Sequence, residues 1–145
     1  MLKFKSKFLT ILVNALLAIW ILPQWITGLI GWLIFRNGKL YYNEDAKILV
    51  LRVNKGYLFG NACCSSGPII FTTPECSENT IKHETGHSIQ SLMFGWLFHI
   101  IVSLPSVCLF WYKRLTNKDQ KFYHSHWPEN HADKRGHVDI SEYGL

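Results

Sequence analysis

The segment Ile81–Ser91, IKHETGHSIQS, carries two histidines four residues apart, with a glutamate directly after the first. On an α-helix, residues i and i+4 lie one above the other. His83 and His87 can therefore offer both imidazoles to one zinc ion at about 2.0–2.1 Å. Glu84 is offset by one position and points beside the ion. There it can take a proton from an activated water and return it to a leaving amine. Gly86 would allow close backbone approach in the metal turn. HExxH patterns also arise by chance, so the reading turns on a third ligand.

The segment ENHAD supplies a candidate, because Glu129 and Asp133 are again four apart. Glu129 can complete a His2Glu set that leaves a fourth position open, a known catalytic zinc arrangement. Asp133 can hold the far ring nitrogen of a ligand histidine, as outer carboxylates in such sites do. His126 and His131 are the rival ligands. Otherwise these two, with His124 and His137, read as a polar, partly solvated helix end. His99 stands alone in an apolar stretch and reads as a hydrogen-bonded core residue. Gln90 follows on the helix face of His83, seven residues on, and could bond backbone, bind substrate or support packing.

These residues need a scaffold that brings the two segments together. Pro105, in SLPS, lies about midway between His87 and Glu129. A fold-back there would make two helical arms, each roughly 30 Å long at 1.5 Å per residue, and bring Glu129 beside His83 and His87. A straight run through a membrane would strand Glu129 on the far side, and charged residues would have to cross back at high cost. A metal site thus predicts a helical hairpin. Upstream, Lys47–Val53 and Pro68–Thr72 are apolar and β-branched and read as strands of a small antiparallel sheet, with Tyr57–Phe59 as a possible third. Ser77 or Asn79 can cap the helix that begins near Thr80.

Two further runs are apolar. Phe8–Phe35 and Ser88–Tyr112 contain no Asp, Glu, Lys or Arg. The first is long enough for a bilayer and too long for a signal sequence. Pro23 should kink it or break it into a re-entrant pair. The hydrophobic fraction of 48% over 145 residues suits a chain partly in lipid. The net charge of +5 shows no basic stripe interleaved with aromatics, which argues against nucleic acid. Arg36, Lys39, Lys82, Lys113 and Arg114 flank the candidate site, which by the positive-inside rule puts it on the cytoplasmic side. Cys63, Cys64, Cys76 and Cys108 form no CxxC pair, so a cysteine metal site is not expected. Reduced thiols are the expectation for that compartment.

With these residues in view, the chain resembles the gluzincin-type metallopeptidases, which join an HExxH helix to a downstream ExxxD helix. Integral-membrane peptidases of the prenyl-protein-processing and heat-shock type share the plan. More closely, it resembles a group of small bacterial membrane proteins of this type. The matching stretches are LPQWITG, SSGPIIF, HETGHSIQS, SLPS and ENHADKRGHV, which together run from Leu22 to Val138. His131 stands where that group usually has an aromatic, and KRGHV replaces a KLGGV-like end. The resemblance implies Glu84 as general base and His83, His87 and Glu129 as zinc ligands.

The expected architecture is mainly α with a small antiparallel β-sheet (α+β), carrying a membrane-associated, zincin-like hairpin. Residues 1–40 form an N-terminal membrane segment, 41–79 the sheet region, and 80–145 the hairpin and tail. The expected function is a membrane-associated metallopeptidase with one zinc ion, cleaving a peptide or membrane-protein substrate. Ile69, Ile70 and Phe71 would lie on an edge strand that holds the substrate by β-augmentation, with Gln90 as a further contact. The alternative is a non-catalytic membrane protein with a structural metal or a partner-binding role. Glu84 discriminates between them, because a structural site has no use for a base.

Overall fold

The computed structural model describes residues 5–35, 38–44, 48–53 and 63–145. The first apolar run is two helices, α1 (Lys7–Trp20) and α2 (Leu22–Ile34), bent by 72° at their junction. Ser6 caps α1 by accepting from the Leu9 amide at 3.4 Å. Pro23 falls in the first turn of α2. A missing N–H costs little there, so the chain breaks just before the proline.

Among the described residues four strands follow: β1 (Lys39–Asn43), β2 (Ile48–Arg52), β3 (Cys64–Ser66) and β4 (Ile69–Thr72), in the order β1-β2-β4-β3. The sheet is mixed, which corrects the expected antiparallel one. β2 pairs with β4 in parallel, while β1–β2 and β3–β4 are antiparallel. The cause is insertion: β4 turns back from β3 and slots between β3 and β2. Tyr57–Phe59 lies outside the described residues.

Side chains alternate across the sheet as the strand period requires. Ile69 and Phe71 join Leu51 and Val53 on one face. There α2 packs so closely that a Cβ on Gly31 would strike the Phe71 ring. Ile70 joins Ile48 and Val50 on the other face, against Ile81 of the next helix. That helix is α3 (Glu78–Phe94), capped by the Ser77 hydroxyl on the Thr80 amide at 3.1 Å. The sheet is thus sandwiched between an apolar helix and the helix that carries HETGH.

The fold-back occurs, but not at Pro105. The chain bends by 120° between Glu78–Leu97 and His99–Leu115. Gly95 makes this possible: its φ is +51°, and the Trp20 ring occupies the space a Cβ would need. A π-helical turn (His99–Ser103) then leads into α4 (Leu104–Leu115), where Pro105 sits in the first turn. The proline therefore starts a helix instead of turning the chain. Two short helices, α5 (Gln120–Ser125) and α6 (Glu129–Gly136), return the chain onto α3, followed by a 3₁₀ turn at Ile140–Tyr143.

The two bends interlock. The Trp20 indole N–H donates to the Leu92 carbonyl, and that of Trp96 to the Ile19 carbonyl, each at 2.9 Å. The fully buried Gln24 amide donates to the Gly95 carbonyl. Side chains of each bend thus bond to backbone carbonyls of the other. Around the bends the surface is apolar, with Ile11, Leu29, Ile30, Leu33, Ile100 and Leu104 all more than half exposed. Among the described residues no single helix is long and apolar enough to cross a membrane, whereas both bent pairs pass on length and composition.

Cys63 and Cys76 are joined as a disulfide, against the expectation of reduced thiols. The antiparallel β3–β4 pair places Cys64 opposite Phe71. The turn after β4, closed by the Cys76 amide on the Thr73 carbonyl at 3.2 Å, carries Cys76 back toward Cys63. Cys64 and Cys108 are free.

Candidate metal centre

Helices α3 and α6 meet backbone to backbone. A Cβ on Gly86 would collide with the Ala132 carbonyl, and one on Gly136 with the Lys82 carbonyl. The glycine inside HETGH and the one that ends ENHADKRG are therefore the two points of closest approach. This contact brings His83, His87 and Glu129 together at 5%, 7% and 0% exposure. Their ligand atoms lie within 4.8 Å of one another, as do those of a second group, His83, His124 and Asp133.

Hydrogen bonds fix where the protons sit. Asp133 Oδ1 accepts from His83 Nδ1 at 2.6 Å. Gln90 uses its Nε2 to donate to the Pro128 carbonyl at 3.0 Å, so its Oε1 is the atom facing His87 Nδ1 at 2.7 Å. A carbonyl oxygen only accepts, hence His87 Nδ1 must carry a hydrogen. Both Nδ1 positions are donors, which leaves the two Nε2 atoms as lone pairs in the neutral rings.

Both Nε2 atoms point at one carboxylate oxygen. Glu129 Oε2 lies 3.0 Å from His83 Nε2 and 3.2 Å from His87 Nε2. Lone pairs aimed at an anionic oxygen repel unless a cation lies among them. Tetrahedral zinc ligands would sit about 3.3 Å apart, given bonds of about 2.0 Å. Among the described residues Glu129 Oε1 is buried with no hydrogen-bond partner, a costly state for a carboxylate oxygen. The donor set, its spacing and the orphaned oxygen fit a divalent cation, so these buried His and Glu groups could hold a metal ion. In the second group, by contrast, Asp133 is already satisfied. Its Oδ2 accepts from His124 Nδ1 at 2.9 Å while Oδ1 serves His83.

Electrostatics keep the carboxylates ionised. Burial pushes the Glu129 carboxyl up, whereas positive charge at His83 and His87 would outweigh burial and hold it well below the usual range; with both rings neutral at Nε2, that role falls to a cation among the three. Asp133 is likewise lowered: hydrogen bonds from His124 and His83 overcome its burial. The Tyr123 phenol is raised, by burial first and the Glu129 charge second. Tyr123 therefore remains a protonated hydroxyl in the electrostatic field of the site.

The rival ligands are accounted for. His126 is exposed and hydrogen-bonds the Phe122 carbonyl at 2.7 Å. His131 Nδ1 accepts from Gln90 Nε2 at 2.9 Å and belongs to neither ligand group. Gln90 itself is fully buried with both ends engaged, so it orients His87 and is not free for substrate. His99 is hydrogen-bonded, through Ser103 at 3.2 Å, but its Nε2 has no partner. Glu84 is 6% exposed on the same helix as its neighbour His83. Ile69, Ile70 and Phe71 do not form an edge: β4 is paired on both sides, and all three are core. Among the described residues the outer strand beside α3 is β3.

Sequence reasoning missed three residues. His124 is buried against His83, not solvated. Tyr143 stacks on His124 with centroids 3.7 Å apart and planes 7° apart. Tyr123 is the third. His124 could have been singled out by its nine-residue spacing from Asp133. Nothing local marks the two tyrosines. No family model, curated protein or solved structure matches the chain.

Proposed function

We propose that this protein is a membrane-associated, zinc-dependent metallopeptidase of the gluzincin type. The observation that carries the reading is the convergence of His83 Nε2 and His87 Nε2 on Glu129, with the Nδ1 protons held elsewhere and Glu84 buried beside them. When bound, zinc would act as a Lewis acid and make water a nucleophile near neutral pH. His83, His87 and Glu129 hold the ion. Asp133 and Gln90 keep the two rings in the tautomer that binds metal. Glu84 takes the proton from the attacking water and delivers it to the amine of the cleaved peptide bond. An extended substrate could add to the outer strand β3, in place of the expected role for Ile69–Phe71.

The apolar exterior supports a lipid partner. α1 buries none of its residues, and an apolar groove lined by Leu22, Trp25, Leu29, Trp32 and Ile69 opens on α2. Lys7 opens α1 and Lys113 and Arg114 lie in the last turn of α4, where anionic headgroups would meet them. The excess of basic residues near the site favours the cytoplasmic side. The Cys63–Cys76 bond is a competing signal, because stable disulfides belong to oxidising compartments. The charge pattern spans several elements and we follow it. An impermeant thiol reagent that labels no cysteine before cell lysis supports that side; a disulfide intact in cells places the site outside.

The test is Glu84→Gln. Zinc should remain bound while hydrolysis of a peptide library falls by about 10²–10⁴-fold, the usual loss for a general base. One observation favours a second reading, a structural metal: the ligand set is almost wholly buried. That reading gains if wild-type protein loaded with zinc cleaves no peptide or membrane-protein substrate and Glu84→Gln changes nothing.

A further inference from the structure

We infer that His124 is a positioning residue for the metal centre, held in register by the C-terminal turn through Tyr143. The inference rests on the metal site proposed above. Asp133 carries two imidazoles, one per oxygen: His83 Nδ1 at 2.6 Å and His124 Nδ1 at 2.9 Å. A carboxylate with a single partner can swing about its Cβ–Cγ bond. With two donors on opposite oxygens its plane is fixed, and so is the direction from which it holds His83. The His124 ring also stands edge-on to the His83 ring, with centroids 5.0 Å apart and planes at 76°. His124 thus restrains the ligand both through Asp133 and by direct contact.

His124 is restrained in turn. It lies in the last turn of α5, whose first turn is capped by Asp119 on the Phe122 amide at 2.8 Å. Its other face is covered by Tyr143. That tyrosine belongs to a tail clamped to the start of α3 by Asn79. The Asn79 amide donates to the Asp139 carbonyl at 3.0 Å and to Glu142 Oε2 at 2.9 Å, and its oxygen accepts from the Asp139 amide at 2.9 Å. A left-handed His137, with φ of 56°, turns the chain out of α6 toward this clamp. The path runs from Asn79 to the tail, to Tyr143, His124, Asp133 and finally His83, and it begins and ends on α3.

Outer partners of metal-bound histidines typically contribute about 10–100-fold in metal affinity. His124→Phe keeps the ring and its stacking but removes the donor. His124→Asn keeps a donor close to the position of Nδ1 and gives up the ring. We expect His124→Phe to bind zinc about 10–100-fold more weakly in a competition titration against a chromophoric chelator. The visible spectrum of its cobalt form should shift, and His124→Asn should recover most of the affinity. Tyr143→Leu should shift both readouts in the same direction by less. Circular dichroism and thermal melting check the fold of each variant, and Tyr143→Leu keeps the test open if His124→Phe does not fold. Wild-type affinity and an unchanged cobalt spectrum in His124→Phe would overturn the inference. So would His124→Asn binding zinc no better than His124→Phe, since the hydrogen bond to Asp133 would then not be what His124 contributes. A wild-type protein that binds no zinc would instead sink the metal-site reading on which the inference stands.

Discussion

The contact between α3 and α6 and the pair α1–α2 distribute their side chains in opposite ways. Where α3 meets α6, the buried groups are His83, Glu84, His87, Gln90, Glu129 and Asp133. α1 buries nothing, and in α2 the buried residues are Gln24 and Gly28. Their isoleucines, leucines and tryptophans face outward. Burial of charge is tolerated in the first region because almost every polar atom there has a partner or a place for a cation. Exposure of apolar surface in the second is a cost only in water. On the proposed reading, polarity here tracks the neighbouring medium, a metal on one side and lipid on the other, and not depth within the protein.

The most damaging way to break this pattern is to remove the carboxylate that both histidines address. Glu129→Ala should take bound zinc from about one ion per chain to background in elemental analysis, because it leaves two ligands where a closed set needs three or four. Retention of full zinc would show that another group closes the site.

On the apolar side, Ile30→Lys places a charge on a half-exposed position of α2. Lysine at the centre of a membrane helix costs about 2.5–3.5 kcal/mol. Membrane flotation should therefore show a clear shift of the variant toward the soluble fraction, while zinc binding stays normal. Equal partitioning of the two proteins would mean that α2 does not face lipid.

Gly86→Ala acts within the first region by pushing α6 off α3 at Ala132. Overpacking of this kind costs about 1–3 kcal/mol. The variant should melt at lower temperature and lose metal affinity as well, since Glu129 and Asp133 ride on the displaced helix. A melting point equal to that of wild type would show that the helices separate at no cost.

The smallest effect concerns the interlocked bends. Trp96→Phe keeps an aromatic ring but drops the donor to the Ile19 carbonyl, worth about 0.5–1.5 kcal/mol. We expect a small fall in thermal stability in detergent and no change in zinc content. A change in zinc content would mean that the bends and the metal centre are coupled.

Much of the site was legible along the chain, because helical periodicity is a local property. The i,i+4 spacing of His83 with His87 and of Glu129 with Asp133 predicts two helical faces, and the four side chains lie together where α3 meets α6. The break near Pro23 was legible too, since a proline cannot continue a helix from within. The glycine of HETGH could be read as a site of close approach but not assigned a partner, and the role of the glycine that ends ENHADKRG appears only in the packed structure.

What only the tertiary structure decided are relations between distant segments. The fold-back falls at Gly95, not at Pro105, because the bend needs a positive φ and room for the Trp20 ring, and that ring comes from a segment more than seventy residues away along the chain. Strand direction depends on which strand inserts where, so a parallel β2–β4 pair cannot be read from alternation. For the same reason, Ile69–Phe71 proved to be core and not edge. His124 and Tyr143 look like solvated tail residues until the tail is clamped by Asn79. Periodicity fixes which side chains share a face of one element. Which face meets which is settled only when the whole chain is packed.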